Sequence, residues 1–362
     1  MGYYRLLLVK HRQFSFNLVL IDGSLKLYIF ANIYKCSYLF LKQTPTLMLK
    51  KVAWLIDILL IPFTILAAIS LRVAKRLGVQ YLPITKSILF KIGVFPVNDH
   101  YYEPLFNGQY LRKPLSEDRN LPGIDFNIEE QLAILDQLNF SEELSMVSEN
   151  YVDEITYNFM NGAFEHGDGE FLYNIIRYNK PAIVIEIGSG HSTKMAQLAI
   201  KQNKIENAGY NCKHICIEPY EMPWLEKLDV EVLRKRVEDI DTAYFKQLGN
   251  NDILFIDSSH VIRPQGDVLY EYLEILPILN SGVTVHVHDI FSPKDYLHQW
   301  IVEEVRLWNE QYLLEAFLSL NNEWKIIGAV NYLFHNHNQI FKNKFPRITA
   351  NIQPGSFYMV KN

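Results

Sequence analysis

The run Pro181-Ala-Ile-Val-Ile-Glu-Ile-Gly-Ser-Gly-His-Ser-Thr193 constrains this chain more than any other. Ala182 to Ile187 is an unbroken apolar stretch of strand length, which predicts a buried strand of a parallel sheet. It stops at a Gly-Ser-Gly turn, and Ser192 and Thr193 open a helix over Lys194-Met-Ala-Gln-Leu-Ala-Ile200. A strand, a glycine turn and a helix N-terminus together form a nucleotide-binding corner. Gly188 and Gly190 would let the backbone approach a ligand closely, with His191 and Ser192 beside it at the helix start. Glu186, two residues before the first glycine, decides which nucleotide. A carboxylate there repels the pyrophosphate that a dinucleotide site sets on the helix N-terminus. It suits the ammonium of a methionine moiety beside a sulfonium. Thr193 also stands where the dinucleotide fingerprint has its third glycine. The corner therefore favours S-adenosyl-L-methionine over NAD.

Glu186-x-Gly188-x-Gly190 resembles the first motif of class I S-adenosylmethionine-dependent methyltransferases. The fold this implies is α/β and Rossmann-like, a mostly parallel seven-stranded sheet between helices. The 362 residues suffice for one large domain of that kind plus appendages. A formal net charge of -5 argues against nucleic acid as a partner. The three cysteines, Cys36, Cys212 and Cys216, give no disulfide framework and fit a reducing compartment.

Ahead of that domain, residues 1–47 set Arg5, Lys10, Arg12, Lys26, Lys35 and Lys42 against the single acid Asp22, without clear periodicity. They read as an extension, either translated upstream sequence before Met48 or poorly ordered chain. Residues 48–97 form a membrane-associated segment. Val52 to Leu71 is long and apolar enough to cross a bilayer as helix, with basic residues at both ends, although Asp57 and Pro62 interrupt it. A buried soluble helix and an interfacial helix are the alternatives. The stretch after it, to Val97, is basic and apolar like a helix lying on a surface. Residues 98–160 read as a lid or connector. It begins with the aromatic loop Asn98-Asp-His-Tyr-Tyr-Glu-Pro-Leu-Phe106, a candidate site wall. A helix capped by Asn127 carries Leu132, Leu135 and Leu138 on one face, and a second helix starts at Ser141.

The catalytic domain, residues 161–362, alternates strands with helices. Strands are expected at Ala182–Ile187, Lys213–Ile217, Val230–Lys235, Asp252–Ile256, Val283–Val287, Trp324–Ala329 and Ser356–Val360. Helices are expected near Trp224 and Thr242, over Asp267–Leu276, and as one long amphipathic helix from Tyr296 to Leu320.

Glu218, at the second strand end, can accept both ribose hydroxyls. Glu238 and Asp239, after the third, either contact the adenine amino group or cap the next helix. The fourth strand ends Leu254-Phe-Ile-Asp-Ser-Ser-His260 and the fifth ends His286-Val-His-Asp-Ile-Phe-Ser-Pro293. Adjacent carboxyl ends of a parallel sheet face one crevice, so Asp257 and Asp289 are expected to converge there with His260 and His288. Two neighbouring carboxylates repel unless a proton or cation sits between them, which makes Asp257 and Asp289 candidate ligands for Mg2+. His260 is the candidate base, and His288 a nitrogen ligand or second base.

IDSSH, GDVLYEYLEILPIL and GVTVHVHDIFSP, in that order, resemble the macrocin O-methyltransferase-like and cephalosporin hydroxylase-like branch. The resemblance implies methyl transfer to a hydroxyl of a sugar-like or other small polyol or glycan acceptor. It also implies a metal held by residues matching Asp257 and an acidic pair at the fifth strand end, where this chain has His288 before Asp289. An N-terminal membrane segment and a lid are implied as well. The catalytic domain is expected on the cytoplasmic face of the membrane, because S-adenosylmethionine is made in the cytosol and the cysteines fit a reducing compartment. The competing readings are a membrane-tethered cofactor-binding protein without turnover and a nicotinamide oxidoreductase. Glu186 and Thr193 count against the second of these.

Overall fold

The structure is a computed structural model that describes residues 17–21, 24–28, 47–220, 222–349 and 351–362. Most of the extension assigned to residues 1–47 lies outside the described residues. The chain divides into two compact units, Met1–Asn98 and Asp99–Asn362.

In the first unit Asn17–Ile21 pairs antiparallel with Ser24–Tyr28, a short hairpin that sequence periodicity does not mark. Helix α1 spans Leu47–Leu77, beyond both ends of the expected apolar run. Its Ala53–Leu77 portion is long and apolar enough to cross a membrane, and its apolar side chains are exposed. Gly78 ends it at φ 88°, in the left-handed region that glycine adopts without strain. Helix α2, Pro83–Ile92, starts on a proline whose missing N–H costs no helical bond. It stops at Gly93, whose N–H donates to Leu89 O at 2.9 Å.

In the second unit the strands are β1 (Ile183–Ile187), β2 (Lys213–Ile217), β3 (Glu231–Leu233), β4 (Ile253–Ile256), β5 (Thr284–Val287), β6 (Trp324–Ala329) and β7 (Phe357–Lys361). They form one sheet in the order β3-β2-β1-β4-β5-β7-β6, with β7 antiparallel to both neighbours. The expected α/β Rossmann-like fold is therefore the one observed. Strand alternation sends side chains to opposite faces. Val184 and Phe255 join Phe171, Ile175, Met195 and Ala199 of helices α4 (Asp168–Asn179) and α5 (His191–Glu206) on one face. Ile185, Ile187, Leu254 and Ile256 join Val268, Tyr272 and Leu314 on the other. The strand order reverses between β1 and β4, and such a switch point opens a crevice at the carboxyl ends.

Residues 99–160 fold into the same compact unit as the sheet. Helix α3, Ile128–Gln137, lies along β6. Its buried Gln131 accepts from Ala329 N at 2.7 Å, and Leu135 is in the core. Asn127 does not cap it. That residue adopts φ 52°, and its side chain donates to Glu130 Oε2 and Ile326 O instead. The segments at Ser141, Trp224 and Thr242 are short 3-10 helices of one or two turns, Ser141–Met146, Leu225–Lys227 and Thr242–Gln247.

The expected helix Tyr296–Leu320 is broken. A wide turn covers Gln299–Glu303, the chain reverses at Val305 (φ 54°), and helix α7 runs from Glu310 to Leu318. Stacking decides this. The Trp300 and Trp308 rings meet edge to face at 5.1 Å and the Arg306 guanidinium lies 4.5 Å from both, a three-membered cluster that a continuous helix would pull apart. Helix α6, Asp267–Tyr270, continues through a wide turn, Glu271–Ile275. Helices α8 (Val330–Asn336) and α9 (Asn338–Lys344) close the β6–β7 connection.

Candidate active site at the strand tips

Each strand next to the switch point delivers its chemistry in the residues just past its end. Asp257 follows β4, while His288 and Asp289 follow β5. His260 and Asp289 both hold left-handed backbone, φ 59° and 58°, a costly conformation for such residues. That strain turns both side chains into one spot. His260 Nε2 lies 3.3 Å from Asp257 Oδ1 and 3.4 Å from Asp289 Oδ2, while its Nδ1 lies 2.8 Å from Glu310 Oε2. Glu310, wholly buried at the start of α7, also accepts from Tyr272 OH at 3.1 Å. The Trp308 ring covers the imidazole at 4.3 Å.

Burial alone would lower the His260 pKa. Hydrogen bonds to Asp257 and Glu310 and the Asp289 charge outweigh it and raise the pKa well above the ordinary value. For Asp257, burial is outweighed by the His260 hydrogen bond and the His288 charge, which draw it down to about 2. His288 lies 3.6 Å from Asp289 Oδ1, and its pKa is also raised, against burial, by Asp289, Asp257 and Asp168. The carboxylates around His260 favour the protonated ring, which has no lone pair to offer until a base or a metal ion displaces that proton. The role of base, expected from the sequence, would require it to lose that proton first.

Ligand atoms of Asp257, His260 and Asp289 all lie within 4.8 Å of one another. This donor set fits a divalent ion. The hydrogen bond from Nδ1 to Glu310 would leave Nε2 as the metal-facing nitrogen, the usual support for a ligating histidine.

The glycine turn faces the same crevice. A Cβ on Gly188 (φ 81°) would stand 2.0 Å from Asp257 O, so only glycine lets the β1 and β4 tips close up. A Cβ on Gly190 would meet nothing within 4 Å, which leaves open space against the backbone. Thr193 accepts from Gly190 N through Oγ1 at 3.1 Å and so closes the start of α5, where His191 and Ser192 lie. Glu218 accepts from Ser189 N at 3.1 Å and Tyr220 N at 2.9 Å, binding the β2 tip to the turn. Glu186 is fully buried on the α4–α5 face, where its Oε2 lies 2.9 Å from His214 Nε2. Its Oε1, like Ser189 Oγ, has no hydrogen-bond partner among the described residues. A buried carboxylate oxygen left bare is costly unless a ligand supplies the donor. The open space at Gly190 fits a ligand held against the turn, while Glu186, with no exposed surface, would have to be uncovered to meet it.

Glu238 and Asp239 sit in a 3-10 turn after β3, and both flank Arg236, at 3.7 Å and 3.2 Å. Neither caps the following turn, because Asp241 does so by accepting from Ala243 N at 2.8 Å.

Four residues of this site escaped the sequence reading. Glu310 and Trp308 were hidden inside the supposed long helix. His214 and Asp168 look like ordinary strand-start and helix-start polar residues. Beyond Trp308 a cleft of about 480 Å³ opens, walled by Phe106, Tyr110, Arg112, Arg306 and Tyr312. Phe106 of the aromatic loop thus lines a wall, whereas Tyr101 and Tyr102 are exposed.

Residues 185–290 match the profile of the family described as "Methyltransferase domain". Over 176 residues the chain is 30% identical to an uncharacterized protein of Archaeoglobus fulgidus, covering 44% of this chain and 76% of that one. Among solved structures it is similar to an SAH-bound methyltransferase of Podospora anserina, at 13% identity over 54% of this chain and 77% of that chain, with a TM-score of 0.33. It is also similar to the plantazolicin methyltransferase in complex with SAH, at 10% identity over 53% and 82%, with a TM-score of 0.34. Residues 185–290 thus carry a methyltransferase-domain profile on an α/β Rossmann-like sheet. The chain belongs to one family with the Archaeoglobus protein.

Proposed function

We propose that the protein transfers the methyl group of S-adenosylmethionine to a hydroxyl oxygen of a sugar-like or other small polyol acceptor. The observation that carries this reading is the group Asp257–His260–Asp289 gathered opposite the glycine turn, within 4.8 Å. A free alcohol is a weak nucleophile, and a cation beside its oxygen with a carboxylate in reach answers that need. Asp257 and Asp289 orient the hydroxyl, and the Asp289 carboxylate takes its proton as oxygen attacks the methyl carbon. The carbon–sulfur bond breaks and S-adenosylhomocysteine leaves. Mg2+ held by the carboxylates of Asp257 and Asp289 would lower the pKa of the bound hydroxyl. On the cofactor side Glu186, Gly188, Gly190, His191, Ser192 and Glu218 hold the ligand, with Glu238 or Asp239 at the adenine.

The site is tested by incubating the full chain with methyl-labelled cofactor and membrane, glycan and small-molecule fractions. Label in a base-stable ether supports the reading. Cofactor binding without transfer to any fraction supports the binding protein without turnover instead.

The exposed apolar length of α1, containing residues 52–71, supports a membrane anchor. The catalytic unit is assigned to the cytoplasmic side, where S-adenosylmethionine is made. Carbonate extraction of membranes checks it, and release of the chain into the supernatant would exclude a span.

A further inference from the structure

Helix α2 follows the α1 helix within the first unit and buries none of its residues. Ile84, Ile88 and Ile92 stand four residues apart along one face and are 77%, 50% and 68% exposed. Phe90 is 60% exposed, and Tyr81, just ahead of the helix, 76%. Lys91 borders the isoleucine face, whereas Lys86 stands on the far side of the helix above Phe90. Their long stems can lie along apolar surface while the ammonium stays in water, as Lys86 does at 5.8 Å over Phe90 and Lys75 at 5.4 Å over Phe95.

The charge pattern identifies the cover for this face. From Ile58 to Asn98 the sequence contains no aspartate or glutamate, while Arg72, Lys75, Arg76, Lys86 and Lys91 carry positive charge. A soluble partner with an apolar groove would need no such one-sided field. A headgroup layer rich in anionic lipid matches both halves of the pattern, apolar side chains below and cations at phosphate level. Tyrosine is the side chain that favours this depth.

We propose that Pro83–Ile92 is a second, interfacial anchor, which lies on an anionic lipid leaflet with Ile84, Ile88 and Ile92 in the acyl region. This rests on α1 holding the chain at a membrane and adds the lipid class that its basic flank selects. Each lysine near such a leaflet contributes roughly fivefold in partitioning, or about 1 kcal/mol.

The test uses the full chain with Cys36→Ser and Ile88→Cys, labelled with the fluorophore NBD, since Cys212 and Cys216 are buried. It is reconstituted in nanodiscs of phosphatidylcholine alone or mixed with phosphatidylglycerol. In the anionic discs the label should be shielded from iodide and quenched by nitroxide on the acyl chain. Adding Lys86→Glu and Lys91→Glu should restore iodide access, and phosphatidylcholine discs should give an intermediate value. A label equally open to iodide in both discs overturns the proposal. So does a label shielded from iodide and nitroxide alike, which would mean that the helix packs on protein. A chain that does not enter the discs overturns the span reading and this one with it, whereas entry with an iodide-accessible label overturns this one alone.

Discussion

The Nδ1 of His260 lies 2.8 Å from an oxygen of Glu310, a carboxylate with no solvent exposure. Fifty residues separate the two in sequence. Glu310 fixes the ring's orientation and, by its charge, helps hold the proton on it. Glu310→Gln keeps a hydrogen-bonding group and removes the charge. The titration midpoint of His260, followed by NMR of ¹⁵N-labelled histidine, should fall by a unit or more, about 1.4 kcal/mol per unit. Glu310→Ala leaves a buried cation facing a cavity and should cost about 3–5 kcal/mol in denaturant unfolding. An unchanged midpoint in the glutamine variant would mean that Asp257 and Asp289 alone set the charge state.

Gly188 and Gly190 stand two residues apart, and their substitutions should separate folding from binding. Alanine at 188 would drive a Cβ to 2.0 Å from Asp257 O at φ 81°, so Gly188→Ala should unfold at clearly lower temperature. At 190 the backbone is extended and a Cβ meets nothing, so Gly190→Ala should melt within about 0.5 kcal/mol of wild type. If the cofactor occupies that space, calorimetry should show its affinity cut by tenfold or more, roughly 1.4 kcal/mol. Full affinity in Gly190→Ala would move the ligand elsewhere.

His214 reaches Glu186 with Nε2 at 2.9 Å and takes a hydrogen bond at Nδ1 from Gln197 Nε2 at 2.7 Å. Gln197 also donates to Asp229 O at 3.1 Å, which fixes its amide orientation. This chain of contacts holds the carboxylate so that its bare oxygen keeps one direction. His214→Ala should weaken S-adenosylhomocysteine binding by roughly 1–3 kcal/mol, the usual cost of a lost charge-assisted bond. It should leave 5′-methylthioadenosine, which lacks the ammonium, unaffected. Equal losses for both ligands would point to general damage to the sheet.

Asp168 is buried beneath the β5 tip and accepts from Gly355 N at 3.0 Å and Ser356 N at 2.8 Å, both on Oδ1. Burial pushes its pKa up to about 6, with the His288 charge and the amide bonds pulling the other way. A raised carboxyl binds its proton more tightly folded than unfolded. Its contribution therefore favours folding at low pH and is lost as pH rises from about 4 through about 6. Asp168→Asn retains an oxygen for both amides and has no charge to bury. Its melting temperature should exceed wild type at pH 7, by up to about 3 kcal/mol in stability, and converge with it near pH 4. A difference independent of pH would show that the carboxyl is not titrating in that range.

The alternation of apolar runs with glycine and proline punctuation determined the α/β class, and it placed β2 and β6 with their observed limits. Such information is local: a buried strand needs consecutive β-branched residues, and a tight turn against a neighbouring backbone needs glycine. The convergence of Asp257, His260, Asp289 and His288 was legible for a related reason, since each falls just past the end of its strand and sheet topology brings such ends together. The tertiary structure alone decided what stands behind them. Nothing local announces that Glu310 supports His260, that His214 holds Glu186, or that Arg306 clusters with two tryptophans where a helix breaks although its amphipathic pattern runs on. Those contacts join residues 28 to 50 positions apart or trade helical hydrogen bonds for stacking. Their energies arise from burial, charge and ring geometry, which exist only once the chain has folded.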